Sequence, residues 1–257
     1  MSTPQLIVQD FGGAHNADLG KTRARLIRGG SWRKQRVICI MPADYDKEEY
    51  TPDGKKIIVK GFPAKVCLAL WNLAFAPNNG VVRILALGDE VGIAYSQAIE
   101  GVLAHPELKD WEYIFTVEHD NLCPPDTVIK LIEDLEQHPE LDAVGGLYFT
   151  KFEGGVPQIW GDPKDTTTNF RPQLPDPNGG LVECCGTGMG ATLFRLKMFK
   201  DERLIKPWFR TLNGKNGTGI GTQDLSMWAD ARKYGHRCAI DCSIKVGHLD
   251  ASTGTVW

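Results

Sequence analysis

Apolar residues recur along the chain in two alternating rhythms. Val37-Ile38-Cys39-Ile40-Met41 is an unbroken apolar run closed by Pro42, as expected of a strand buried on both faces. Val82-Arg83-Ile84-Leu85-Ala86-Leu87 and Tyr113-Ile114-Phe115-Thr116-Val117 predict two more strands. Between them the period lengthens. Pro63 opens a segment whose Val66, Leu70, Leu73 and Ala74 fall on one helical face, and residues 93 to 104 predict a second helix. Pro124-Pro125 precede a third, carrying Val128, Leu131, Ile132 and Leu135 and ending at Pro139. A fourth has Thr222 as N-cap, Leu225, Trp228 and Ala229 as its buried stripe, and Gly235 as its stop.

Strand and helix in alternation predict an α/β fold, its sheet mostly parallel and covered by helices on both faces. Ligands then bind beyond the carboxyl ends of the strands. Residues 1 to 36 carry no sustained apolar period and are expected to form an arm; the folded body is expected from 37 to 250, with a short tail at 251 to 257. Gly, Pro and Asn crowd the stretch from Gly154 to Gly180, which predicts a loop-rich region.

The chain has 257 residues, 42% hydrophobic and 24% charged, which suits one domain with one sizeable core. No apolar run approaches the roughly 18 residues of a membrane span, nor is there the apolar core of a signal peptide, so no membrane insertion and a cytoplasmic location are expected. Seven scattered cysteines without a C-x-x-C pair predict reduced, buried thiols. Charge is unevenly spread. Lys21, Arg23, Arg25, Arg28, Arg33, Lys34 and Arg36 occur without an intervening acid, and removing those seven charges from the net −3 leaves about −10 on the rest.

Glu118-His119-Asp120 follows the third strand directly, where an open α/β sheet presents side chains to a ligand, and its two carboxylates offer hard oxygen donors to a divalent cation. The surrounding segment YIFTVEHDNLCPPDTVIKLIEDL resembles the part of GT-A glycosyltransferases where a hydrophobic strand meets an acidic D-x-D-type motif before a proline-rich turn and a helix. VECCGTGMGATLFRLKMF resembles the family's glycine-rich turn and next strand, GTQDLSMWADARKYGHR its glutamate-aspartate helix, and CAIDCSIKVGHLD its closing strand with a metal-binding histidine. The four segments keep the family's order across residues 37 to 250. Gln223 stands where many members have glutamate, and Glu118-His119 replaces the usual aspartate-rich opening of the triplet.

The resemblance implies a single GT-A, Rossmann-like domain with a mostly parallel mixed central sheet flanked by helices, and a metal-dependent transfer from a nucleotide-sugar donor, expected to be UDP-linked. It implies that Asp120 and His248, with Glu118 beside them, hold Mn²⁺ or Mg²⁺. Two oxygens and an imidazole suit Mn²⁺ somewhat better. Asp224 is the implied base of an inverting reaction, and the first turn of a helix would favour an aspartate there in any case. For the nucleotide the resemblance points to Pro42, Ala43, Asp89, Ser96 and Gln97, with Gly188 in the glycine-rich turn.

The seven cations between 21 and 36, with Trp32 among them, suit either a solvated segment or a polyanion, so nucleic acid, for instance a hydroxymethylated base in DNA, stands among the acceptors to test. Two other functions fit the same fold. A sugar-nucleotide nucleotidyltransferase would have a glycine-rich basic loop after the first strand, where this chain reads MPADYDKEEY. A non-catalytic sugar- or nucleic-acid-binding module would have no need of Asp120, Asp224 and His248.

Overall fold

The computed structural model describes residues 6–8, 35–43, 47–50, 54–59, 63–76, 80–87, 90–150, 155–165, 169–213, 219–250 and 253–257. Its central sheet has eight strands: β1 (Leu6–Val8), β2 (Val37–Ala43), β3 (Val81–Leu87), β4 (Tyr113–Val117), β6 (Ala143–Leu147), β7 (Leu181–Cys184), β8 (Ala191–Arg195) and β9 (Cys238–Lys245). Two short strands outside it, β5 (Asn121–Leu122) and β10 (Gly247–Asp250), pair with each other. Among the described residues four α-helices complete the frame: α1 (Ala64–Asn72), α2 (Val91–Ala104), α3 (Thr127–Gln137) and α4 (Gln223–Ala231).

Strand order is β1-β3-β2-β4-β8-β6-β9-β7. β3, β2 and β4 are mutually parallel, β8 lies antiparallel between β4 and β6, and β9 is parallel to β6. Five strands therefore run one way, and β1, β8 and β7 run against them. This is a mixed, mostly parallel α/β sheet with helices on both faces.

Alternation along β2 explains how one strand serves two cores. Ile38 and Ile40 face the side covered by Tyr95, Ile99 and Val102 of α2 and by Met227 and Trp228 of α4. Val37, Cys39 and Met41 face the side covered by Val128, Leu131, Ile132 and Leu135 of α3. All seven residues of β2 are buried, which is why no polar position interrupts the run.

Three sequence expectations are corrected. α1 stops at Asn72, because Leu73 turns extended and the Ala74 N–H bonds to the Pro125 carbonyl at 2.8 Å; Leu73 and Ala74 are buried as extended chain. The buried residues of α4 are Asp224, Ser226, Met227, Trp228, Asp230 and Ala231, with Leu225 and Ala229 only half-buried. Of the seven thiols, Cys67 is exposed and six are buried. Leu6–Val8, within the segment expected as an arm, pairs antiparallel with β3 at the sheet's edge.

Gly235 ends α4 as expected, in the left-handed region at φ 86° after one 3₁₀ turn. Among the described residues, no helix is long and apolar enough to cross a membrane.

Candidate functional site

β4 delivers Glu118, His119 and Asp120 at its carboxyl end. The chain then enters β5, whose Asn121 lies opposite His248 of β10, while the Leu249 N–H bonds to the Asp120 carbonyl at 2.7 Å. This pairing brings two distant segments together and sets His248 Nε2 3.3 Å from Asp120 Oδ2. The last residues close the same edge: Val256 pairs with Leu249, and the Trp257 N–H bonds to the His248 carbonyl at 3.0 Å.

The other two polar atoms of the pair are buried without a partner, namely Asp120 Oδ1 and His248 Nδ1. An oxygen and an imidazole nitrogen left in this condition suit a divalent cation or its bound water. Burial by itself would raise the Asp120 carboxyl, but the hydrogen bond and charge of His248, and then His119, hold it below the ordinary carboxylate range. Glu118 goes the other way. Burial pushes it up to about 8, and the negative charges of Asp120 and Asp224 add to the shift. Burial also raises Asp224, against hydrogen bonds from Thr222 and the Leu225 N–H.

Asp224 enters the group from α4. Its side chain is buried on the helix face that packs inward, and its Oδ1 accepts the Thr222 hydroxyl and, at 2.9 Å, the Leu225 N–H. Thr222 occupies the N-cap position without making a side-chain capping bond, contrary to the sequence expectation. Glu118, Asp120, His248 and Asp224 thus come from three separate parts of the chain to the carboxyl end of one sheet.

A cleft of about 370 Å³ opens beside Glu118 and Asp120, lined with them by Pro42, Ala43, Glu90, Val91 and His119; neither His248 nor Asp224 is in its lining. Pro42 and Ala43 are on its wall. Asp89 lies outside the described residues. Its neighbour Glu90 is on the wall, where Oε2 caps α2 by accepting the Gly92 and Ile93 N–H groups and Oε1 accepts the Thr211 hydroxyl at 3.0 Å. Ser96 is buried, accepting the Phe209 N–H at 3.2 Å, and Gln97 is exposed; neither lines this cleft.

Sequence reasoning missed Tyr148. This residue follows β6 directly, its ring stacks on His248 with centroids 6.1 Å apart, and its hydroxyl accepts the Gly190 N–H at 3.1 Å. Burial raises its phenol far above the usual value, with Glu118, Asp224 and Asp120 contributing. A Cβ at Gly188 would overlap that hydroxyl, and one at Gly190 would overlap the Asn121 amide. Glycines in this turn therefore make room for protein side chains. A signal was present: Tyr148 ends the apolar run Ala143–Leu147, as Glu118 follows Tyr113–Val117.

The basic segment is outside the described residues up to Lys34. Arg36 is committed within the fold, donating to both oxygens of Glu112 at 2.8 and 3.0 Å and to the Asp110 carbonyl at 2.7 Å.

No family model and no curated protein matches the sequence. Among solved structures the chain is similar to the crystal structure of A197 from STIV, with a TM-score of 0.56, 14% identity, and coverage of 86% of this chain and 92% of the other. It also aligns with GalNAc-T7, solved with UDP, GalNAc and Mn²⁺, at a TM-score of 0.46 and 11% identity, over 84% of this chain and 44% of that one. The first likeness concerns the fold alone, and the second is too loose to bear on chemistry.

Proposed function

We propose that the protein is a glycosyltransferase that moves a sugar from a UDP-linked donor to an acceptor hydroxyl, with inversion at the anomeric carbon. The observation that carries this reading is Glu118 and Asp120 on a cleft whose described lining holds three acids and no lysine or arginine, with His248 against Asp120 and the charge of Asp224 acting on Glu118. A diphosphate entering such a cleft meets like charge, which a divalent cation relieves.

Asp120 and His248 would hold Mn²⁺ or Mg²⁺, with Glu118 adjacent, and the orphaned Asp120 Oδ1 and His248 Nδ1 support that assignment. When bound, the cation supplies positive charge against the nucleoside diphosphate as the sugar–phosphate bond breaks. Pro42, Ala43 and Glu90 form the donor wall. Asp224 takes the acceptor's proton while the acceptor oxygen bonds to the anomeric carbon and the nucleoside diphosphate leaves from the opposite face. The products are the glycoside, the nucleoside diphosphate and one proton, first held on Asp224.

Titration of UDP-glucose into the protein with EDTA and with Mn²⁺ tests the reading. Tighter binding in Mn²⁺ is expected; equal affinity in both would remove the cation from the proposal.

A further inference from the structure

We infer that Thr222 is the positioning residue for Asp224, its hydroxyl selecting which carboxylate oxygen is left to meet the acceptor. This rests on the reading of Asp224 as the base.

A threonine at an N-cap ordinarily turns its side-chain oxygen to the N–H groups of the first helical turn. Thr222 has the extended backbone of an N-cap, φ −73° and ψ 160°, yet makes no such bond. Its hydroxyl instead donates to Asp224 Oδ1, which also accepts the Leu225 N–H at 2.9 Å. A carboxylate is nearly two-fold symmetric about its last torsion, so an unrestrained aspartate offers either oxygen. Two donors on Oδ1 break that symmetry and leave Oδ2 as the oxygen for a proton.

The start of α4 is itself fixed, because the Ser226 hydroxyl donates to the Arg210 carbonyl at 2.7 Å. Thr222 is exposed and Asp224 is buried, so the bond joins a surface hydroxyl to a buried carboxylate. The other titratable groups facing Asp224 are Glu118 at the end of β4 and Tyr148 after β6. Neither offers a donor to Oδ1. The Thr222 hydroxyl, first, and then the Leu225 N–H and Asp224's own N–H oppose the effect of burial on this carboxyl.

Thr222→Val keeps the shape and removes the hydroxyl; Thr222→Ser restores it. With UDP-glucose and Mn²⁺ as probe, water serves as acceptor, giving glucose, UDP and one proton. Thr222→Val is expected to lower kcat for UDP release roughly tenfold, leave the donor KM within about twofold, and move the acid limb of the kcat profile to higher pH. Thr222→Ser should match the wild type in all three. A Val variant with wild-type kcat and pH profile, or a Ser variant as impaired as Val, would overturn the inference. Loss of melting temperature alone would make Thr222 a structural residue and overturn it equally. Carbon-13 NMR of labelled aspartate in the substrate-free protein gives a readout independent of turnover: the Asp224 titration should rise in Thr222→Val and not in Thr222→Ser, and no change overturns the inference. If Asp224→Asn releases UDP at the wild-type rate, the reading of Asp224 as base fails instead, whatever the NMR shows.

Discussion

His248 and His236 sit beside aspartates at opposite ends of the same sheet. At the amino end, His236 Nδ1 lies 3.1 Å from Asp142 and its Nε2 lies 3.1 Å from Asp201, so both ring nitrogens are used. Asp201 also accepts from Arg203, and Asp142 from the Arg237 N–H. At the carboxyl end, His248 uses one nitrogen on one oxygen of Asp120, and the remaining two atoms are buried and orphaned. A cavity of about 400 Å³ adjoins His236, slightly larger than the cleft of about 370 Å³ beside Asp120. Cavity size does not separate the two ends. Polar saturation does, because a satisfied buried cluster holds elements together and an unsatisfied one has coordination to offer.

The most severe way to break this contrast is Asp224→Asn. Turnover should fall by roughly 10²–10⁴-fold while donor affinity and melting temperature stay near wild type. An Asn variant that loses stability and keeps full turnover per folded molecule would move Asp224 to the structural side.

Asp120→Ala comes next. Mn²⁺ alone should raise the melting temperature of the wild type, since a ligand bound only by the native state stabilises it. The variant's Mn²⁺ affinity should fall by roughly 10–100-fold. Equal thermal shifts in the two proteins would end the distinction between the two histidines.

Gly188→Ala sharpens the account of the glycine turn. The new Cβ meets the Tyr148 hydroxyl, and a loss of about 1–3 kcal/mol in chemical denaturation is expected. Adding Tyr148→Phe should return part of that loss. A double variant no more stable than the single one would show that Gly188 is required for another reason.

The smallest effect belongs to His236. Asp142 first, and then Asp201, raise its imidazole above the ordinary value despite partial burial. A group whose folded value is raised gives its stability below the unfolded value of about 6.5 and loses it as pH rises through the folded value. Asp142 is held below its ordinary value, against burial, mainly by His236, so its share is lost as pH falls through its own folded value. The gap between wild type and His236→Ala should therefore be widest between about pH 4 and 6.5, on the order of 1 kcal/mol, and narrow at pH 9. A gap independent of pH would make His236 a packing residue only.

Much of the frame was legible because burial on two faces leaves a plain signature. β2 and β4 are buried along their whole length, β3 is apolar except for Arg83, and α3 shows its face at Val128, Leu131, Ile132 and Leu135, all fully buried. α1 was misread past Asn72 because Leu73 and Ala74 are buried as extended chain, and a one-dimensional period cannot tell that from a further helical turn. The acids after β4 and on α4 were legible by position. Glu90 was not, since it forms no motif, and Tyr148, although it follows an apolar run as Glu118 does, meets His248 and Gly190 only through folding.

By itself the sequence determined the alternation of strand and helix, the carboxyl-end location of Glu118 and Asp120, and the helical start that carries Asp224. These follow from local periodicity and from turn and cap chemistry, which act over a few residues. Tertiary structure decided which of two His–Asp groups is saturated, which oxygen of Asp224 is left over, and why Gly188 has no side chain. Each depends on contacts between β5 and β10, between α4 and the residues before it, or between β6 and the glycine turn. Hydrogen-bond satisfaction is counted over atoms brought together by folding, so it has no counterpart along the chain.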